Sequence, residues 1–175
     1  MTQEQDLLRQ AQLFETGAPA QIYDLYSPKL YRYAMRLLGD ASAAEDCVAE
    51  TFKRFLQVLR AGKGPRECLQ AYLYQAAHNI IADRYRRQPP LEELDEDLPH
   101  ADNTEEAASR AIRQRRVRAA LRELTPEQAQ VIVLKFLEGW ENEEIARVLR
   151  KPVGAVKSQQ HRALARLQKI LLDEK

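Results

Sequence analysis

The chain is poor in several things at once. Its 175 residues include two cysteines and six glycines, and aromatics make up 7%. Two cysteines, Cys47 and Cys68, make no disulfide framework and fit a reducing cytosol. Both fall in helical pattern, so each reads as a small core residue rather than a reactive thiol. Few glycines together with few β-branched residues argue against an all-β fold. Long apolar runs are missing too. Stretches such as 131–134 are far too short to span a bilayer. The polar start, Met1-Thr2-Gln3-Glu4-Gln5-Asp6, carries no apolar signal region, so a cytoplasmic protein with no membrane insertion is expected. There is no phosphate-binding glycine loop, no His/Cys cluster at ligand spacing, and no Ser/His/Asp or Cys/His set. An enzyme is therefore not expected, and neither a cofactor nor a metal.

What is there is charge, unevenly placed. Lys plus Arg is 27 and Asp plus Glu is 26, a formal net charge of +1 that by itself does not suggest a nucleic-acid binder. The parts differ sharply. Residues 1–88 carry 12 basic and 10 acidic side chains, residues 89–108 none basic and 8 acidic, and residues 109–175 carry 15 basic and 8 acidic. The order is mildly basic, acidic, strongly basic. Apolar residues are 45% of the chain, enough for real cores.

Helical periodicity dominates. Residues 3–15 read as a weak helix before Gly17. Residues 19–38 carry Ile22, Leu25, Tyr26, Leu30, Tyr33, Leu37 and Leu38, with Gly39 as the stop and Pro28 as a kink or break. Residues 41–61 place Ala44, Cys47, Val48, Thr51, Phe52, Phe55, Val58 and Leu59 on one face. Residues 66–87 have Leu69, Leu73, Ala76 and Ile80 inside. Pro89-Pro90 then ends the pattern, and residues 89–108 read as an acidic linker, extended by its prolines and like charges. Helix resumes near Glu105. Thr125-Pro126-Glu127-Gln128 is a capping box with proline at the first helical position. The helix it opens should bury Ala129, Ile132, Val133, Phe136 and Leu137, and Gly139 ends it. A short helix with Ile145, Val148 and Leu149 inward, a break at Lys151-Pro152 and a last helix over 153–172 complete the chain. The fold class expected is all-α: two helical domains, 1–88 and 109–175, with a C-terminal helix-turn-helix.

On a helical wheel, Val153, Val156, Ala163, Leu164, Leu167, Ile170 and Leu171 share one side of the last helix. Ser158, Arg162, Ala165 and Lys169 lie opposite, flanked by Lys157 and His161 on one edge and Gln159 and Arg166 on the other. The N-terminal half of a second helix in this motif enters the major groove. There Arg and Lys reach guanine, Gln reaches adenine, and Ser reaches base or phosphate. The candidate DNA readers are Lys157, Ser158, Gln159, His161, Arg162 and Arg166. Taken alone, the same residues would serve as an ordinary solvated face; the short helix and proline turn before them favour DNA.

Two segments together resemble a known family. Leu30-Tyr31-Arg32-Tyr33-Ala34 and Ala44-Glu45-Asp46-Cys47-Val48-Ala49-Glu50-Thr51-Phe52, continued by Tyr72-Leu73-Tyr74-Gln75-Ala76-Ala77-His78-Asn79, resemble region 2 of bacterial RNA polymerase sigma factors. Leu124-Thr125-Pro126 through Leu167, with Glu143-Glu144-Ile145-Ala146 and Pro152-Val153-Gly154-Ala155-Val156-Lys157-Ser158, resembles region 4. The layout is similar to the extracytoplasmic-function type. The resemblance implies a factor that binds core polymerase, recognises the promoter −10 and −35 elements and assists melting. Region 2 docks on the clamp helices of the β′ subunit, which makes Asp46, Glu50 and Lys53 the candidate core contacts. The helix over 66–87 reads the −10 element, with Tyr74, His78, Asn79, Arg84, Tyr85, Arg86 and Arg87 as candidates and Asn79 as the base-edge reader. Tyr72 reads as core. The β flap is the expected partner of region 4, the linker runs near the polymerase active site, and an anti-sigma factor is a candidate partner.

This chain departs from the family pattern at several points. Ala49 stands where Gln is usual, Gln159 replaces a frequent Arg, and Gln160 sits where an apolar residue is typical, so it must lie at the rim or bond the turn. Glu141-Asn142 stands in for the usual Ser or Thr cap, with Asn142 able to cap. The alternative reading is a free-standing helix-turn-helix regulator resembling response-regulator effector domains, which explains 125–172 but not the Asp46/Glu50 strip or the Asn79 helix. Electrostatic mimicry of RNA by the acidic linker, through Glu92, Glu93, Asp95, Glu96 and Asp97, is a further expectation. Another is that this linker masks the basic region in the free protein.

Overall fold

The computed structural model describes residues 2–87 and 104–173. Eight α-helices account for most of them: α1 (Gln3–Gln12), α2 (Ala18–Leu38), α3 (Ala41–Arg60), α4 (Leu69–Arg87), α5 (Glu105–Arg122), α6 (Pro126–Ile132), α7 (Asn142–Leu149) and α8 (Val153–Asp173). The all-α class holds. Residues 89–103, with the acidic side chains Glu92 to Asp97, lie outside the described residues. Helix resumes at Glu105 as expected, where Thr104 caps α5 by accepting from the Ala107 amide at 3.2 Å, so the last residues of the 89–108 stretch, Glu105 and Glu106, stand in its first turn. Acidic residues are favourable there, against the unpaired amides of a helix start.

Helices α2, α3 and α4 pack on one another, with α1 against α2 and α4. Their core contains Ile22, Tyr26, Leu30, Tyr33, Phe52, Phe55 and Leu73. Helix α2 runs unbroken through Pro28, so no break occurs there. Pro28 faces solvent, where the carbonyl it leaves without a partner can take water. Leu25, read as part of the inner face, is exposed. Helix α3 starts on Asp40, whose Oδ1 accepts from the Ala43 amide at 2.7 Å. Buried Thr51 donates to the Cys47 carbonyl at 2.7 Å, which satisfies its hydroxyl inside the core. Burial pushes the Cys47 thiol up to about 11, as suits a packing residue.

The C-terminal half builds around Leu121, Leu124, Ala129, Ile132, Ile145, Val148, Val156 and Ala163. Thr125 and Gln128 form the expected capping box, each side chain bonding the other's backbone at 3.3 Å. Beyond Ile132 the chain leaves the α-helical repeat for a π turn over Val133–Leu137, closed by the Glu138 amide on the Val133 carbonyl at 2.9 Å. That wider turn changes which side chains face inward. Phe136, expected inside, is 53% exposed, and Leu137 is exposed too, while Leu134 is buried instead; Gln130 and Val131, on α6 before the turn, are buried as well. Helix α8 also emerges from the core sooner than its pattern suggests, leaving Leu164 and Leu171 exposed.

The inner stripe of α4 is shifted as well. Ala76 and Ile80 are half-buried, whereas Tyr74, Ala77, His78 and Ile81 are buried. The cause is a second packing partner: α6 and α7 lie against α4, and α5 and the π turn lie against α2. The two halves are joined face to face.

Candidate nucleic-acid interface

The outward face of α8 carries the duplex candidates. Lys157, Ser158, His161, Arg162 and Arg166 are exposed, on the N-terminal half and middle of the helix. The turn that aims them is short. Arg150 ends α7 in the left-handed region at φ 53°, and α8 starts directly after Pro152, whose carbonyl accepts from the Ala155 and Val156 amides. Gln159 differs from its neighbours. It is half-buried, and its Nε2 donates to Glu127 Oε2 at 3.4 Å, where Lys151 Nζ also binds at 2.7 Å. Gln160 is half-buried and donates to Asn142 Oδ1 at 2.6 Å, so it lies at the rim and bonds the start of α7 rather than the turn. Asn142 is thereby occupied and does not cap. Glu141 takes that place, and its amide donates to Glu144 Oε2 at 2.9 Å. Arg166 Nε donates to the Glu123 carbonyl at 3.2 Å, tying α8 to the end of α5.

The candidates on α3 form an open strip. Asp46 and Lys53 are exposed and Glu50 is half-buried. Glu50 is already engaged on its own helix, by Arg54 Nε at 3.0 Å and Lys53 Nζ at 4.0 Å.

The candidates on α4 divide between two faces. Asn79 is exposed and its Oδ1 accepts from Gln75 Nε2 at 3.2 Å. Arg86 and Arg87 are exposed, Arg84 is half-buried, and Arg86 pairs with Asp83. Tyr72, Gln75 and Asn79 share a stripe that opens on a cleft of about 1150 Å³. Lys63 and Arg66 from the loop before α4 line it, and so do Arg147 and Arg150 at the end of α7. These four cations were not among the sequence candidates; the basic Gly62-to-Arg66 loop directly before α4 was the available signal. Tyr72 packs on Phe55 with ring centroids 6.0 Å apart, consistent with a core role.

The other face of α4 is covered. Tyr74 is 1% exposed, its ring 5.2 Å from Tyr33 and 4.5 Å from Trp140. His78 is 6% exposed, and burial lowers its pKa to about 4, with Glu127 pulling weakly the other way. Tyr85 donates to the Leu37 carbonyl, and burial pushes its hydroxyl up to about 12. In this arrangement Tyr74 and His78 meet the C-terminal half rather than solvent.

Comparison with known proteins bears directly on these surfaces. The sequence pattern of Sigma-70 region 2 matches residues 22–89, and that of Sigma-70, region 4 matches residues 114–167. The ECF RNA polymerase sigma factor SigL of Mycobacterium tuberculosis is 32% identical over 149 residues, covering 83% of this chain and 84% of SigL. The chain belongs to the ECF RNA polymerase sigma factor family. BldN of Streptomyces coelicolor, another such factor, is 32% identical over 97% of this chain, which spans 66% of BldN's length. Among solved structures, CnrH in complex with the cytosolic domain of CnrY shares the fold at a TM-score of 0.72 and 24% identity, over 98% of this chain and 99% of that one. In this sigma factor, then, α2 to α4 are region 2 and the helix-turn-helix of α7 and α8 falls within region 4.

Proposed function

We propose that this sigma factor binds core RNA polymerase through α3, reads a −35 element with α8, and captures the opened −10 strand on α4. The observation that carries the reading is the placement of two separate nucleic-acid faces on one chain. One is the exposed Lys157/Ser158/His161/Arg162 surface of a helix-turn-helix, suited to a major groove. The other is Asn79 beside a cleft lined by Lys63 and Arg66, where an amide and cations can hold an unstacked base and its phosphates. Residues 1–88 and 109–175 act as the two recognition domains, each weak contact raising the effective concentration for the other. The β flap is the expected seat of the C-terminal domain, and an anti-sigma factor is an expected regulator. On this reading the protein works beside polymerase in the cytoplasm. No described helix is long and apolar enough to cross a membrane. It supplies recognition and strand opening, and polymerase supplies the chemistry.

Pull-down with core polymerase followed by run-off transcription tests this. The expected result is core binding and promoter-dependent transcripts. Tight duplex binding without core binding would support the free-standing regulator instead.

A further inference from the structure

The outward face of α8 is aimed by ties on its flanks. Gln159 Nε2 donates at 3.4 Å to Glu127 Oε2, in the first turn of α6. Lys151 Nζ reaches the same oxygen at 2.7 Å and offsets its charge. Two turns along the same flank, Arg166 Nε donates to the Glu123 carbonyl at 3.2 Å. Gln160 binds Asn142 of α7 at 2.6 Å. Together these bonds fix the roll of α8 about its axis, with Lys157, Ser158, His161 and Arg162 turned out. Every residue in them lies in the C-terminal half, so the aim of the helix is independent of how that half meets region 2.

Gln159 differs from the other ties because half of its amide stays free. A primary amide offers an oxygen that accepts and a nitrogen that donates. The nitrogen is committed to Glu127. The Oε1 bonds no described residue and is not enclosed by protein, so it is left to solvent. The nitrogen keeps a second N–H, but a base acceptor drawn to it would come up against the Glu127 carboxylate, where like partial charges repel. Gln159 stands in the second turn of α8, and Ala155, four residues before it, has only a methyl group, which leaves room for a base edge.

A free Gln contacts adenine through both atoms: the oxygen takes the N6 amino group and the nitrogen gives to N7. Here only the first bond is available. We propose that Glu127 is a positioning residue that holds Gln159 as an acceptor, so that one −35 base is read through its amino group alone. Adenine N6 and cytosine N4 carry such a group in the major groove, whereas guanine and thymine present acceptors there. The position therefore accepts adenine and cytosine on the contacted strand, and adenine N7 goes unread. This inference rests on the reading of α8 as the −35 reader given above.

The test uses holoenzyme reconstituted with the full chain. Transcripts from a promoter library randomised over both elements give the −35 preference, and the column that Gln159→Ala flattens is the one Gln159 reads. Holoenzyme binding is then measured on duplexes carrying a single altered adenine in that column. Purine, which lacks the N6 amino group, should weaken parent binding about fivefold or more, and 7-deazaadenine, which lacks N7, should leave it unchanged. In Glu127→Ala the amide is released to make both bonds, so 7-deazaadenine should now weaken binding by a similar factor. Glu127→Gln keeps an oxygen in the same place and should behave as the parent does. Parent binding that falls with 7-deazaadenine, or that tolerates purine, would overturn the proposal. So would a −35 preference that Gln159→Ala leaves intact, or a folded Glu127→Ala chain that still ignores N7. If Glu127→Ala loses helix by circular dichroism, the parent and Gln159→Ala results decide. A holoenzyme with no −35 preference at all would overturn the reading of α8, and the role of Glu127 with it.

Discussion

Acid should separate the two packed halves, and His78 sets the window. In the closed arrangement its buried ring has a pKa lowered to about 4, while in the open chain it returns to about 6.5. The closed form therefore binds fewer protons than the open one. The contribution of the neutral ring to closure is complete above pH 6.5. It is lost as pH falls from 6.5 towards 4, about tenfold or 1.4 kcal/mol per unit. Between pH 7.5 and 5.5 the closed-to-open ratio should drop about tenfold. The surrounding groups do not blur this window. Glu127, which faces the ring from α6, is held by Lys151 at 2.7 Å. Burial raises the hydroxyls of Tyr33 and Tyr74, so both stay neutral. The assay is Trp140 quenching followed against pH, in the parent chain and in His78→Gln, whose side chain is neutral at every pH used. Parent quenching should climb below pH 6.5 and the variant should stay level. A parent curve that is flat from pH 7.5 to 5.5, or parent and variant curves that superimpose, would refute the reasoning.

Arg162→Ala should weaken binding to a −35-type duplex by about 1–3 kcal/mol and leave a scrambled duplex nearly unaffected, as competitive gel-shift titration would show; equal loss on both would mark a phosphate contact. Asp46→Lys should reduce core binding in pull-down about tenfold, and more than Glu50→Lys, because Glu50 is partly spent on Arg54 at 3.0 Å. Gly39→Ala should lower the thermal midpoint by about 2–8 °C. Its backbone sits at φ +70°, and a Cβ there would stand 2.8 Å from Arg118 Nε. Gln130→Leu exchanges a fully buried amide without good partners for an apolar group of similar size, so it should favour the joined arrangement and lower Trp140 quenching at pH 5.5; unchanged quenching with normal folding would count against the reasoning.

What could be read from the sequence was local. The exposed basic face of α8 followed from a 3.6-residue repeat that runs undisturbed from Val156 to Ala163, and the Thr125–Gln128 box followed from four adjacent residues. The misplacements all have a cause distant in the chain. Phe136 and Leu137 were assigned inward because an α-helical repeat was extended through a π turn, and periodicity does not announce the extra residue. Tyr74 and His78 were read as open because the residues beside them, Trp140 and Glu127, lie about fifty to sixty-five positions further on. One signal did lie in plain view. Arg32 and Arg36 are four residues apart on α2, a like-charge pair that destabilises an isolated helix unless an anion sits between them. The anion is Glu138, which alone looks like an ordinary surface charge.

That pairing also changes how the charge pattern is understood. The mildly basic front of the chain owes two of its cations to an internal contact, so they are not available to DNA while the halves are joined. The cations around the α4 cleft are arranged differently: Lys63 and Arg66 belong to region 2, whereas Arg147 and Arg150 arrive with the C-terminal half and leave with it. Opening therefore removes two positive charges from the cleft rim while exposing Tyr74 and His78 to whatever strand enters. It exchanges a charged rim for an aromatic and imidazole face, and stacking on such a face holds an unpaired base with little dependence on sequence. On the reading proposed above, the joined arrangement suits attraction of a phosphate backbone and the separated one suits capture of bases.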